Sequence, residues 1–275
     1  MQSHLVISGA VVLIRFISIP SGLQFAGWAG LGLLMTAAGY GLARAVLRPR
    51  EPHAQNGELG TIMAVVGVFF GLVIATMLAR AVDHFDAAVK AVNREADAGA
   101  ALYRVAAQGA PELARAVQAP LLQYLDHVVR IEWPRQSAGL DIAPESADLI
   151  DVSRAIGAFR PANPRELAWL EITERKLDDL FAARHARLVN TDLTIPIEIW
   201  VVDLLGELTL IVFGWLMHIP QRPLHLLLVM GIAMSVSLVL AATLVYDAPF
   251  HGDISVSDSP YVEAIHDIAH ASASE

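Results

Sequence analysis

Cysteine is absent from the 275 residues, which excludes a disulfide framework, thiolate metal sites and cysteine nucleophiles. Charge is scarce: charged residues make up 17% of the chain, where a soluble domain carries about 25%. Lys and Arg vanish altogether after Arg222, so residues 247–275 contain only acidic charge, from Asp247 to Glu275. A net charge of −9 argues against nucleic acid as a partner. No Gly-rich phosphate loop, cofactor motif or period-two alternation is present. Serines cluster at Ser255, Ser257 and Ser259 with no histidine at a spacing that would build a nucleophile, so an enzyme is the least supported class.

Apolar sequence is what the chain has in excess: 55% of it is hydrophobic. Three uncharged runs, Leu23–Ala43, Leu59–Ala79 and Leu224–Tyr246, reach the roughly 20 residues that a bilayer requires. A fourth, Ile195–Ile219, is apolar except for Glu198, Asp203 and Glu207, and a Pro220-Gln221-Arg222-Pro223 turn joins it to the last run. The expectation is an all-α integral membrane protein with four transmembrane helices in two hairpins, residues 23–79 and 195–246. Residues 1–22 form an N-terminal segment whose apolar part contains Arg15; an interfacial or re-entrant helix is preferred to a fifth span. It lacks the basic start and cleavage site of a signal peptide.

Between the hairpins, residues 80–194 predict a helical bundle outside the membrane. Phe85, Val89, Val92, Ala96, Gly99, Tyr103 and Ala106 recur at heptad spacing. Nothing separates this seam from the second span, so one helix of roughly 75 Å, at 1.5 Å per residue, is expected from Leu59 to about Gln108. Pro111 opens the next helix, Pro120 lies within it, and Trp133-Pro134 is expected to close it. Glu132 and the Asp126-His127 pair then fall at a helix end and on a helix surface. Another helix starts near Pro144. The last has an Asn163 cap, Pro164 and Glu166, followed by a stripe through Leu167, Leu170, Leu177, Leu180, Phe181 and Leu188.

Three groups of residues invite functional readings. In the second span Gly67, Gly71, Ala75 and Ala79 repeat every four residues and permit close helix approach. That seam suits packing within one subunit, between copies, or beside a pore. The adjoining face carries Ala64, Val68 and Leu72, suited to lipid contact or to a hydrophobic constriction. Among the intramembrane acids, Asp203 and Glu207 share a helix face, while Glu198 lies near the helix entrance. A mid-helix Asp costs about 2.5–3.5 kcal/mol on insertion scales, so facing water or a pore, pairing with Arg80 or Arg222, and neutral burial are the alternatives. In the acidic tail, residues 247–275, His266 and His270 stand at metal-sharing spacing and Asp247 and Asp253 flank a turn, weak candidates for a metal ion.

The run from Gly57 through Arg80 to Phe85-Asp86, with Glu95 and Leu102-Tyr103-Arg104, resembles the bacterial and plant bestrophin-like domain proteins. Tyr124, Val128-Val129, Glu132-Trp133-Pro134, Arg184, Arg187-Leu188, Pro196, Trp200 and Asp247-x-Pro249-Phe250-x-Gly252 extend that resemblance over roughly residues 57–260. It implies kinship with the bestrophins, homopentameric anion channels with a largely helical cytosolic part. On their pattern Gly71, Arg80, Phe85 and Asp86 fall at matching offsets, and the apolar neck falls on Ala64, Val68 and Leu72. The chain departs in three respects: Arg80 is followed by Ala81-Val82 instead of aromatics, Ala64 and Val68 are small for a neck, and the third span carries acids. The acidic run that helps hold calcium in animal bestrophins is not reproduced. A carboxylate-lined pore would favour cations.

The leading expectation is therefore a homo-oligomeric ion channel, a pentamer by resemblance, in a bacterial inner membrane, with the second span lining the pore for inorganic ions. The alternative is a non-conducting scaffold that docks a partner protein through its bundle and acidic tail. The resemblance places the bundle and both termini in the cytoplasm. Arg44, Arg48 and Arg50 in a short loop pull the other way.

Overall fold

The computed structural model describes residues 20–46, 56–192 and 195–273; the N-terminal interfacial segment expected over residues 5–19 lies outside them. The described residues are helical, with no strand: α1 (Ser21–Val46), α2 (Asn56–Gly109), α3 (Pro111–His127), a π-helical turn (Val128–Glu132), α4 (Trp133–Ser137), α5 (Ala147–Ala158), α6 (Pro164–Val189), α7 (Ile197–Leu216), α8 (Arg222–Asp247) and α9 (Ser259–Ala273). Four of them, α1, α2, α7 and α8, are long and apolar enough to cross a membrane. α2 is one uninterrupted helix of 54 residues, about 80 Å at 1.5 Å per residue. The chain divides into two compact units. One comprises residues up to His84 with Leu193–Ala248 and Gly252–Ile254; the other comprises Phe85–Asp192, Pro249–His251 and Ser255–Glu275.

In the membrane unit, α7 and α8 turn back on each other through Ile211, Val229 and Ala233. α1 lies chiefly along α8 and more lightly on α7, so its main partner is α8 and not α2, the next helix in the chain. Hydropathy locates spans but says nothing of which spans touch. α2 meets α7 where Gly206 faces the Phe70 ring, with no room for a Cβ, and where Gly67 faces Leu210. Asp253 closes the start of α1, its carboxylate accepting from the Ser21 backbone N–H at 2.8 Å and from the Ser21 hydroxyl at 3.0 Å. That satisfies one of the free donors of a helix N-terminus.

The helical unit is built on the heptad seam. Val92, Ala96, Tyr103 and Ala106 are buried in one apolar core with Leu113, Val117, Leu121 and Leu125 of α3, Leu149, Val152 and Ile156 of α5, and Leu177 and Leu180 of α6. Tyr261, Ala264 and Ile268 attach α9 to the same core. α6 opens with the reciprocal cap that its sequence predicts. Asn163 Oδ1 accepts from the Glu166 N–H at 2.9 Å, and the Glu166 carboxylate takes the Ala162 N–H at 2.7 Å.

One expectation is corrected here. Trp133-Pro134 does not end a helix: the chain passes through the π turn and continues helically to Ser137. Pro134 has no N–H, and its ring collides with the carbonyl four residues back in a regular helix. The wider turn absorbs that collision, with the Trp133 N–H reaching the Val128 carbonyl five residues earlier.

Candidate functional site

Two arrangements carry chemistry, one in each unit. In the helical unit the π turn aims Glu132 inward, onto two arginines of α6. Arg184 Nη1 donates to Glu132 Oε2 at 2.8 Å and Arg187 Nη2 to the same oxygen at 2.6 Å. Arg187 also grips Glu95 of α2, with Nε 2.6 Å from Oε2 and Nη2 3.2 Å from Oε1, and donates to Gln136 Oε1 at 2.8 Å. Tyr124 of α3 and Tyr261 of α9 donate their hydroxyls to the two oxygens of Glu95. Arg184 Nη2 donates to the Ala143 carbonyl at 2.9 Å, while its Nε has no hydrogen-bond partner among the described residues. Arg187 and Glu95 are 0% exposed.

Two arginines thus meet two glutamates, and the cluster is neutral in sum. Burial alone would raise the Glu132 carboxyl, but the Arg184 hydrogen bond and the Arg187 and Arg184 charges outweigh it and hold the group below its ordinary value. Burial, followed by the Glu95 charge, raises Tyr124 and Tyr261 well above the usual phenol value, so both remain donors. Glu132 is accordingly a buried anion in a network and not a helix-end residue. His127 is not a bare surface residue either, since its Nδ1 lies 2.6 Å from Asp148 Oδ2. The sequence held a signal for the network: Leu177, Leu180, Arg184 and Arg187 follow a 3-4-3 spacing that puts both arginines on the buried stripe of α6.

In the membrane unit the second arrangement is the surface of α2. Of the apolar window of α2, 11% is buried within the chain, against 44% for that of α8. Ala64, Val68 and Leu72 are all exposed, Val68 by 75% and Leu72 by 65%. Gly71, Ala75 and Ala79 are exposed too, and nothing lies within 4 Å of a Cβ built at Gly71. Among the described residues, Gly67 of the small-residue seam faces another helix, at Leu210, and Gly71 does not.

The acids of α7 separate. Asp203 is 0% exposed, and its carboxylate has no hydrogen-bond partner among the described residues. Glu207 accepts from the Ser237 hydroxyl at 2.7 Å, close beneath Gly32, and borders a cavity of about 400 Å³ between Trp28, Met35 and Trp215. Neither pairs with Arg80 or Arg222, and neither stands at an open surface. Glu198, at the helix entrance, is exposed.

The four candidate metal ligands do not assemble, and no group of three or more His, Asp or Glu side chains with metal-binding placement occurs among the described residues. Asp247 is buried, accepts from the Ile195 N–H at 3.4 Å and lies 3.8 Å from His84. Asp253 serves α1 as described. The His266 and His270 rings lie with centroids 4.1 Å apart, tilted 53° to each other, on the exposed side of α9.

An all-helical membrane protein with a continuous second span and a buried Glu–Arg bundle is the class that these features define. The Bestrophin-like domain family model matches residues 31–261, and the chain belongs to that family. Two solved structures share the fold. The crystal structure of a membrane protein carrying P143A matches with a TM-score of 0.64 and 12% identity, covering 90% of this chain and 98% of the other. A bacterial bestrophin homologue from Klebsiella pneumoniae with the mutation L177T matches with a TM-score of 0.62 and 13% identity, covering 90% and 99%. No match was found among curated protein sequences.

Proposed function

We propose that this protein is a homo-oligomeric ion channel of bestrophin type, its pore lined by the α2 helices of the assembled copies. The observation that carries the reading is the bareness of α2. Its apolar stripe at Ala64, Val68 and Leu72 and its small-residue seam at Gly71, Ala75 and Ala79 are exposed among the described residues. Small residues let neighbouring backbones approach, and an apolar stripe beside them forms a constriction that gates by dewetting. Family membership supplies the ion-channel class; the number of copies, five, and the placement of the bundle in the cytoplasm of a bacterial inner membrane come from the resemblance. Because Asp203 and Glu207 are buried within the copy, a carboxylate-lined pore has no part in this reading.

Reconstitution of the purified chain into liposomes tests it. Ion flux is expected, with Leu72→Ala altering conductance or gating while the oligomer remains intact. An absence of flux at every pH, calcium level and voltage, in an oligomer with an occluded axis, overturns the reading in favour of a non-conducting scaffold. In that case the exposed side of α9, with Glu263, His266 and Asp267, is the surface to probe for a protein partner.

A further inference from the structure

A second cavity of the membrane unit lies where the apolar run of α2 ends. Its volume is about 560 Å³, and its lining changes character along its length. Val73 and Met77 of α2 and Ile199 of α7 make one end apolar; Arg80, Asp83 and His84 make the other polar. The change falls at Arg80, the first charge after twenty-one uncharged residues of α2, and therefore at the level where hydrocarbon gives way to headgroups.

Two independent observations mark the polar end as a place for a ligand. His84 is only 7% exposed, yet neither ring nitrogen has a hydrogen-bond partner among the described residues. The Asp247 carboxylate stands 3.8 Å from Nδ1, beyond hydrogen-bond reach. Buried imidazoles otherwise find a partner. The cavity is also walled by Ile195 and Pro196, at the start of α7; Pro196 supplies no side-chain cap, and the Asp247 carboxylate takes the Ile195 N–H at 3.4 Å, ahead of the first helical residue. The backbone N–H groups that open α7 and the helix dipole attract negative charge. Arg80, one turn before His84, adds a guanidinium suited to phosphate. Asp83, between them in sequence, contributes the opposite charge.

We propose that this cavity holds the headgroup of a zwitterionic aminophospholipid from the surrounding bilayer, with Arg80, His84 and the α7 N-terminus on the phosphate and Asp83 on the ammonium. The charges of both signs select a headgroup that carries both. The apolar end, continuous with the membrane-spanning part of α2, receives the glycerol and the first acyl carbons, which a soluble phosphate lacks. The inference is independent of whether the protein conducts.

Native mass spectrometry of the delipidated full chain in detergent tests it, with phosphatidylethanolamine, phosphatidylglycerol and soluble glycerophosphoethanolamine as probes. Phosphatidylethanolamine should be retained over phosphatidylglycerol, and the soluble headgroup should not displace it. Arg80→Gln should lower retention about tenfold, the loss of one charge-assisted contact, and Asp83→Asn should abolish the preference between the two lipids. Val73→Trp, which fills the apolar end and leaves every polar group in place, should lower retention even if Arg80→Gln proves unstable. Equal retention of the two lipids by the wild type, or no response to any of the variants, overturns the proposal. So does soluble headgroup binding as tightly as the lipid. Oligomer dissociation in Arg80→Gln with lipid retention unchanged does so as well, because a neighbouring copy would then fill the cavity.

Discussion

The two units bury polar groups in opposite ways. In the helical unit, Glu95, Glu132, Arg184 and Arg187 are removed from water together, charge against charge, and two tyrosine hydroxyls take up the remaining lone pairs of Glu95. In the membrane unit, Asp203 and His84 are buried with no hydrogen-bond partner among the described residues, while apolar side chains of α2 stand exposed. The Glu–Arg charges of the helical unit are matched within one chain, although Arg184 Nε and both His251 ring nitrogens have no hydrogen-bond partner among the described residues. Among the described residues, the membrane unit leaves an apolar face of α2 exposed and Asp203 and His84 without a hydrogen-bond partner; the proposals above assign the α2 face to further copies and His84 to lipid.

Breaking the network tests that contrast most severely. Arg187→Met leaves the buried Glu95 without its arginine and Glu132 with Arg184 alone, a change that typically costs about 3–5 kcal/mol, and a large fall in thermal midpoint is expected by scanning fluorimetry in detergent. Gly206→Ala acts in the other unit. It drives a methyl group into the Phe70 ring, and overpacking of that kind costs about 1–3 kcal/mol. Tyr261→Phe removes one of several donors to Glu95 and should cost about 1 kcal/mol, with α9 becoming the first segment exposed to proteolysis.

A smaller effect is expected at His251, which burial holds below the ordinary imidazole value. Above that value the ring is neutral both folded and unfolded. As pH falls through it the unfolded chain binds the proton first, so stability declines toward the depressed folded value. A lower midpoint at about pH 5.5 than at about pH 7.5 is expected, and His251→Phe should flatten the difference. Leu72→Ala should change stability least, within about 0.5 kcal/mol, because the side chain is exposed in the isolated copy.

The spans and the long α2 were legible because twenty-odd uncharged residues in a row admit few other structures, and the Asn163–Glu166 cap because its chemistry is local. The partnership of α1 with α8 was hidden, since pairing of distant helices leaves no mark on hydropathy. The passage through Trp133-Pro134 was hidden because a π turn has no sequence signature beyond the proline it accommodates. Glu95, Arg184 and Arg187 fall within the family resemblance, which gives them no role, and Glu132 reads from sequence as a helix-end residue. Charge on a surface and charge in a matched core look alike until the helices that carry it are packed. Asp203 and Glu207 drew attention for the free energy of burying them, and that reasoning stands, but the sequence did not say whether they faced a pore or the packed interior.

Because the chain contains no cysteine, a single introduced thiol reports on one position alone. The decisive measurement is ion flux through liposomes containing the Leu72→Cys protein, before and after a charged thiol-reactive reagent. If the α2 stripe lines the pore, modification blocks or reshapes the flux and leaves the cysteine-free parent unaffected. Flux unchanged after full labelling of position 72, or no flux from the parent under any condition, contradicts the account.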